Sequence, residues 1–268
     1  MSATPQVSLA CEHLTMYFGG LAALDGLSLA VKQDEILGLI GPNGSGKTTF
    51  FNVVTGIYTA TDGNVRFYDR DITGLRPQAV YQAGIARTFQ RSRLCLPLSI
   101  FDNIMIGNHK RLNNGLWVNL LHRRAFRQQF QENVDEVRAL LKTFNPELAE
   151  HMFEAVANFP MIDRRRIEIC RALISKPQLL LLDEPSAGMT HDETRQLMDD
   201  ILEVGRRVAG LSIIIIEHEM SVIERITDHC VVLNFGKKIF EGPYSEVAAN
   251  KDVQEAYLGG EGTAWARI

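Results

Sequence analysis

The chain has 268 residues, 46% hydrophobic and 22% charged, with 28 basic and 32 acidic side chains giving a formal net charge of −4. That balance describes one globular α/β domain, or a domain carrying a subdomain, and excludes a disordered chain. It lacks the basic footprint of a nucleic-acid binder, so no nucleic acid is expected among its partners. The apolar runs Leu179–Leu182 and Leu211–Ile216 fall far short of the roughly 20 residues that cross a bilayer, and read as buried strands. Cys11, Cys95, Cys170 and Cys230 are widely separated, which argues against a metal site or a disulfide framework and for four reduced thiols. Residues 1–7 show no basic stretch running into an apolar one, so no secretory signal is expected and the chain reads as cytoplasmic.

In chain order, residues 7–40 alternate short apolar runs with turns, as in Leu27–Val31, Lys32-Gln33-Asp34 and Ile36–Ile40; these predict strands. Directly after them, Gly41-Pro42-Asn43-Gly44-Ser45-Gly46-Lys47-Thr48 matches the P-loop pattern between a strand and a helix. Glycines there let backbone N–H groups curl round a polyphosphate, and a helix N-terminus adds partial positive charge. In that pattern Lys47 reaches the β and γ phosphates and the Thr48 hydroxyl ligates Mg²⁺. Phe50–Val54 predicts a short helix stopped by Gly56, and Val65–Tyr68 a strand. From about residue 76 to 175 the pattern turns helical, as in Phe126–Phe144, forming an insertion. The charge runs His122-Arg123-Arg124 and Arg164-Arg165-Arg166 read as solvated helix faces.

From Gln178 strand and helix alternate: Leu179–Leu182, a helix over Asp192–Val208, Ile213–Ile216, a helix near Met220–Ile226, then Cys230–Leu233. That alternation predicts a parallel sheet. Strand ends in such sheets face the ligand crevice. Asp183 and Glu184 close the first of these strands, so Asp183 can enter an Mg²⁺ shell and Glu184 can polarise a water for in-line attack. His218, between Glu217 and Glu219 after the next strand, suits a sensor of the γ-phosphate that also orients the water.

This order of P-loop, helical insertion, acidic strand end and histidine resembles the nucleotide-binding subunit of an ABC transporter over nearly the whole chain. The resemblance implies a single ABC ATPase domain over residues 1–268, an α/β fold of P-loop NTPase type. Its mixed sheet core and antiparallel β subdomain would occupy about 7–75 and 176–245, its helical subdomain about 76–175, and a C-terminal tail 246–268. ATP and Mg²⁺ are the implied cofactors. Phe18, or its neighbour Tyr17, would stack on adenine, while Gly41, Pro42, Asn43, Gly44, Ser45, Gly46, Lys47, Thr48 and Thr49 hold the phosphates. Gln90 is similar to the family's Q-loop glutamine and joins Thr48 and Asp183 at the metal; Glu184, His218 and Gln90 form the implied catalytic set, and Ser186–Thr190 the D-loop. Gly84–Gln90, the insertion at 108–130 and the ending Ala256-Tyr257-Leu258-Gly259 are similar to branched-chain amino acid importers.

One part of the family pattern is missing. Family spacing puts the signature Leu-Ser-Gly-Gly-Gln at Phe159-Pro160-Met161-Ile162-Asp163, directly before a well-matched helix, Arg164–Leu173. In the family this signature clasps the γ-phosphate held by the opposite subunit, using a serine hydroxyl and glycine N–H groups. Pro160 supplies neither hydroxyl nor N–H, Met161 and Ile162 bring side chains where glycine allows close approach, and Asp163 adds negative charge that could instead satisfy the helix's own N–H groups. A second ATP-binding subunit is therefore expected, as a heterodimer rather than a homodimer. Integral membrane permease subunits docked near Arg91–Phe101, and indirectly a solute-binding protein, complete the implied partners, with the chain peripheral on the cytoplasmic face of the inner membrane. The other readings are a regulatory subunit that holds ATP with little hydrolysis, and a soluble ABC ATPase acting on DNA or ribosomes. The latter would carry long coiled coils or a second cassette.

Overall fold

A computed structural model describes residues 6–90, 93–109 and 123–258. They form two compact units. The first takes the described residues through Arg87, then Gln178–Ala187, and those from Gly205 on. Its larger sheet has the order β10-β9-β3-β8-β7-β6, built from β3 (Ile36–Ile40), β6 (Ile85–Arg87), β7 (Leu179–Asp183), β8 (Ser212–Ile216), β9 (His229–Asn234) and β10 (Lys237–Gly242). All neighbours are parallel except β10, which runs antiparallel at the edge. Every residue of β3, β7 and β8 is buried. That is why these strands are unbroken apolar runs rather than alternating ones.

The smaller sheet, β2-β1-β4-β5, is antiparallel and joins β1 (Val7–Phe18), β2 (Leu21–Lys32), β4 (Asp62–Phe67) and β5 (Arg70–Asp71). Leu9, Leu14, Leu24 and Leu27 from this sheet share one core with Leu37 and Leu39 of β3 and with Phe50 and Phe51 of α1 (Lys47–Val54). The unit also holds α2 (Pro77–Ala83). The chain carrying the glycine-rich loop is thus fixed by apolar side chains on two sides. β6 is a correction to the helical reading of 76–175. Three residues are too few to show a period, and only their pairing with Leu179–Leu181 makes them a strand.

The second unit comprises the described residues of Thr88–Pro177 and Gly188–Val204. It contains α3 (Ile100–Ile106), α4 (Arg123–Phe144), α5 (Pro146–Glu150), a 3₁₀ turn at Val156–Asn158, α6 (Met161–Leu173) and most of α7 (His191–Arg207). After Arg207 the chain continues through α8 (Met220–Ile226), α9 (Tyr244–Ala249) and α10 (Lys251–Leu258) of the first unit. α6 is the unit's centre, with Ile162, Ile167, Ile169 and Cys170 all buried. The Arg164–Arg166 run is accordingly not a solvated face. Successive helical residues point about 100° apart, so three in a row cannot all face water. Arg165 and Arg166 are buried, and each ends on a carboxylate: Arg165 on Glu168 at 2.9 Å, Arg166 on Asp163 at 2.9 Å and on Asp200 at 2.8 Å. His122, which opens the other charge run, and residues 110–122 of the insertion at 108–130 lie outside the described residues, as do Arg91, Ser92 and Gly259. Among the described residues no helix is long and apolar enough to cross a membrane.

Candidate functional site

The loop between β3 and α1 is shaped by its neighbours. Gly41 sits at φ 146°, and a Cβ there would stand 2.1 Å from the Leu233 carbonyl oxygen. Gly46 caps α1 at φ 107°, with room for a Cβ closed by the Ala23 carbonyl oxygen at 2.5 Å. Only glycine meets both demands, a positive φ and a close backbone approach. The turn at Phe235-Gly236 braces the loop from outside, its Gly236 N–H donating to the Ser45 carbonyl at 3.0 Å. Beneath the loop, Lys47 Nζ donates to the carbonyls of Gly41 at 2.7 Å and Pro42 at 3.0 Å. Burial lowers the Lys47 pKa from 10.5 to about 8, against the opposing pull of Glu184 and Asp183. The Ser45 hydroxyl is buried without a hydrogen-bond partner, a polar atom left for a ligand to satisfy.

At the ends of β7 and β8 three acids take different environments. Asp183, 3% exposed, accepts from Arg87 at 2.6 Å, and Arg87 also donates to Asn52 at 2.7 Å while lying over the Phe51 ring. Glu184 adopts φ 47°, unusual for a residue with a side chain. That backbone turn brings its Oε1 to 2.7 Å from His218 Nε2. Glu217 is buried and accepts from both the N–H and the hydroxyl of Ser186, at 2.8 and 2.7 Å, and from the His218 N–H at 3.3 Å. Burial raises its pKa, and those hydrogen bonds oppose the rise. One carboxylate thereby ties the segment after Glu184 to the segment bearing His218.

One cavity of about 260 Å³ gathers Asn43–Thr49, Glu184 and His218, together with Leu21–Ala23 and Phe235. It does not include the other residues singled out in the sequence. Gly41 and Pro42 form the loop's base, where they hold Lys47. Tyr17 and Phe18 are exposed at the end of β1, and the Phe18 ring meets Tyr58 edge-on at 5.3 Å. Gln90 belongs to the second unit, where its carbonyl accepts from Arg165 Nη2 at 3.0 Å. Sequence reasoning missed Arg87, Glu217, Leu21–Ala23 and Phe235. Glu217 had a visible signal, a carboxylate beside His218 at a strand end; Leu21–Ala23 had none, since only the tertiary packing of the Ala23 carbonyl against Gly46 and Gly236 brings them there.

The segment at the place of the missing signature forms the first turn of α6. Pro160 is its N-cap, in extended conformation and with no side-chain cap. Asp163 does not cap the helix either, correcting the sequence expectation. It accepts from Arg166 at 2.9 Å and from the Asn145 amide at 3.4 Å, so its charge is spent internally. Ile162 is 7% exposed, whereas Met161 is 46% exposed and reaches Gly188, where a Cβ would stand 3.2 Å from Met161 Cε.

A glycine loop that folds a lysine back beneath itself at the mouth of a parallel sheet is the device of P-loop nucleotide-binding proteins. Within that class this chain belongs to the ABC transporter family, whose profile matches residues 24–187. A second profile, described as branched-chain amino acid ATP-binding cassette transporter, matches residues 237–263. The chain is 38% identical over 254 residues to the high-affinity branched-chain amino acid transport ATP-binding protein LivG of Salmonella typhimurium, covering 95% of this chain and 98% of that protein. It is 36% identical over 251 residues to BraF of Pseudomonas aeruginosa, named for the same transport, covering 94% and 97%. Among solved structures it is similar to the ADP conformation of an ATP-binding cassette of an ABC transporter, with a TM-score of 0.81, 29% identity and coverage of 95% and 99%. As a family member the chain is an ATP-binding protein whose hydrolysis of ATP is coupled to transport.

Proposed function

We propose that this chain is the ATP-hydrolysing subunit that energises an importer of branched-chain or related amino acids, peripheral on the cytoplasmic face of the inner membrane. The observation that carries the catalytic part is the 2.7 Å pair of Glu184 and His218 in one cavity with the P-loop. The solute rests on the names of the relatives and on the C-terminal profile. In this reading the loop Gly41–Thr49 wraps the phosphates and Lys47 neutralises the β and γ oxygens. Glu184 takes a proton from the attacking water, and His218 holds Glu184 in place and senses the γ-phosphate. Phe18 stacks on adenine. Thr48 and Asp183 supply oxygen donors, a set that suits Mg²⁺, which takes few protein ligands and leaves the rest to phosphate and water. The ion would offset phosphate charge. Arg87 holds one Asp183 oxygen and thereby sets how the carboxylate is turned.

The second unit supports two partners. Leu96, Leu98, Phe126, Phe130 and Phe153 are exposed, the two phenylalanines Phe130 and Phe153 packing on Phe101 at 5.5 and 5.6 Å. A permease segment with an apolar face fits such an aromatic surface. The other partner is a second ATP-binding subunit carrying an intact signature. Pro160, Met161 and Ile162 offer this chain's partner a poor clasp, and losing one donor of such a clamp costs about 10²- to 10³-fold in rate. Light scattering of Glu184→Gln with and without Mg-ATP, beside turnover by the unmutated chain, tests the proposal. A variant that binds ATP yet stays monomeric, with an idle unmutated chain, supports the heteromeric reading. An ATP-induced homodimer and brisk turnover by the chain alone would refute it.

A further inference from the structure

Two exposed aromatic rings from different parts of the chain meet near the end of α1. Phe18 closes β1 just before the Gly19-Gly20 turn, Tyr58 follows the end of α1, and their ring centroids stand 5.3 Å apart at an interplanar angle of 78°. An edge-to-face pair covers at most one face of either ring, so Phe18, 44% exposed, keeps a face open to a flat ligand. The segment that carries Tyr58 is held at both ends. The N–H groups of Ile57 and Tyr58 both donate to the Asn52 carbonyl on α1, at 2.8 and 3.0 Å. Gly56 permits that reversal: it sits at φ 71°, where a Cβ would stand 2.1 Å from the Leu75 carbonyl oxygen. Farther on, the Thr61 N–H donates to the Thr15 carbonyl at 2.8 Å, and the Thr61 hydroxyl accepts from the Tyr17 N–H at 3.1 Å. Residues 56–61 are therefore pinned on one side to the helix that begins at Lys47 and on the other to the residue before Phe18.

We propose that Tyr58 is a positioning residue for the base of the nucleotide: its ring steadies Phe18, and its attachment to α1 sets that stacking face in register with the phosphate loop. The inference rests on the proposed stacking of adenine on Phe18 and names the residue that prepares it. An aromatic ring at an exposed strand end samples several rotamers, and a ligand that stacks on it must bear the cost of ordering it. Contact with Tyr58 removes part of that cost before the nucleotide arrives. The effect is confined to the base, because Tyr58 does not line the cavity that gathers Asn43–Thr49.

The full chain is assayed unmutated and as Tyr58→Ala, Tyr58→Phe, Phe18→Ala and the double variant Phe18→Ala/Tyr58→Ala. Titration calorimetry compares Mg-ATP with inorganic tripolyphosphate, which has the phosphates and no base, and thermal melting is read for each. Tyr58→Ala should lose about 3- to 10-fold in ATP affinity, the worth of an aromatic pair, while holding tripolyphosphate as the unmutated chain does. Tyr58→Phe should recover the ATP affinity, because the ring and not the hydroxyl makes the contact. Phe18→Ala should lose at least as much as Tyr58→Ala, and the double variant should bind ATP about as Phe18→Ala does, since Tyr58 acts through that ring. An unchanged ATP affinity in Tyr58→Ala overturns the proposal. So does an equal loss toward tripolyphosphate, an additive double variant, or a Tyr58→Ala chain without a cooperative melt, because the tyrosine would then serve α1 and the fold rather than Phe18. A Phe18→Ala chain that binds ATP as tightly as the unmutated one would remove the stacking reading and this proposal with it, whereas a loss confined to Phe18→Ala overturns the proposal alone.

Discussion

Lys47 shows how one residue carries both the fold and the chemistry. Burying an ammonium disfavours its charge, and only two carbonyls and two nearby carboxylates offset that cost. Its pKa of about 8, against 10.5 in the unfolded chain, means the folded protein binds fewer protons between those values. The penalty is fully present below about pH 8 and fades as pH rises toward 10.5. The nucleotide-free chain should therefore gain stability from this group across that window, seen as a rising denaturation midpoint. A bound polyphosphate reverses the sign by favouring the charged lysine. Binding of ATP at pH 8.5 should then be accompanied by proton uptake, measured by calorimetry in buffers of different ionisation enthalpy. Uptake absent at pH 8.5, or equal at pH 8.5 and pH 6.5, would assign the linkage to other groups. The motif predicted that a lysine would be there. It did not predict the depressed pKa, because the burial comes from the way the loop folds the ammonium back onto the Gly41 and Pro42 carbonyls.

At the scale of elements, α6 is where sequence and structure differ most. Its three consecutive arginines read as a wet face, yet two of them are interior cations with carboxylate partners. One of those partners, Asp163, lies in the segment that replaces the signature, and another, Asp200, is 34 positions beyond Arg166 on α7. Local spacing shows Asp163 and Glu168 three residues from their arginines, but nothing in the sequence links Arg166 to Asp200. By contrast β3, β7 and β8 were legible almost residue by residue, since a strand buried on both faces must be a continuous apolar run. β6 was not, because its identity lies in its pairing. The buried pairs make a direct prediction. Arg166→Ala strips the partner from two largely buried carboxylates and should cost about 3–5 kcal/mol, a fall in Tm on the order of 10 °C. Arg124→Ala, in an exposed position on α4, should move Tm by less than about 2 °C. Equal melting of the two variants would mean that Arg166 is solvated after all.

For the whole molecule, under the heteromeric proposal, the question is which half of a composite ATP site this chain would supply. Its own P-loop, Glu184 and His218 are gathered in one cavity, whereas the turn it would present to a partner ends in Pro160, Met161 and Ile162. These three positions are not equally replaceable. Ile162 is buried, so Ile162→Gly would open a cavity costing several kcal/mol and would confound any assay (about 2–5 for Ile→Ala). Met161 is 46% exposed and Pro160 is an N-cap with no capping group, so both can be changed at small cost. Pro160→Ser even adds a capping hydroxyl worth about 1 kcal/mol. A chain bearing Pro160→Ser, Met161→Gly and Glu184→Gln would carry an improved clasp and no base of its own. Mixed with unmutated chain, it should raise ATP turnover at least about 10-fold over either protein alone, a fraction of what one restored donor is worth. The gain should be largest near equal proportions, because the active species holds one copy of each. Turnover that merely follows the dilution of the unmutated chain would show that the clasp is not what limits the rate.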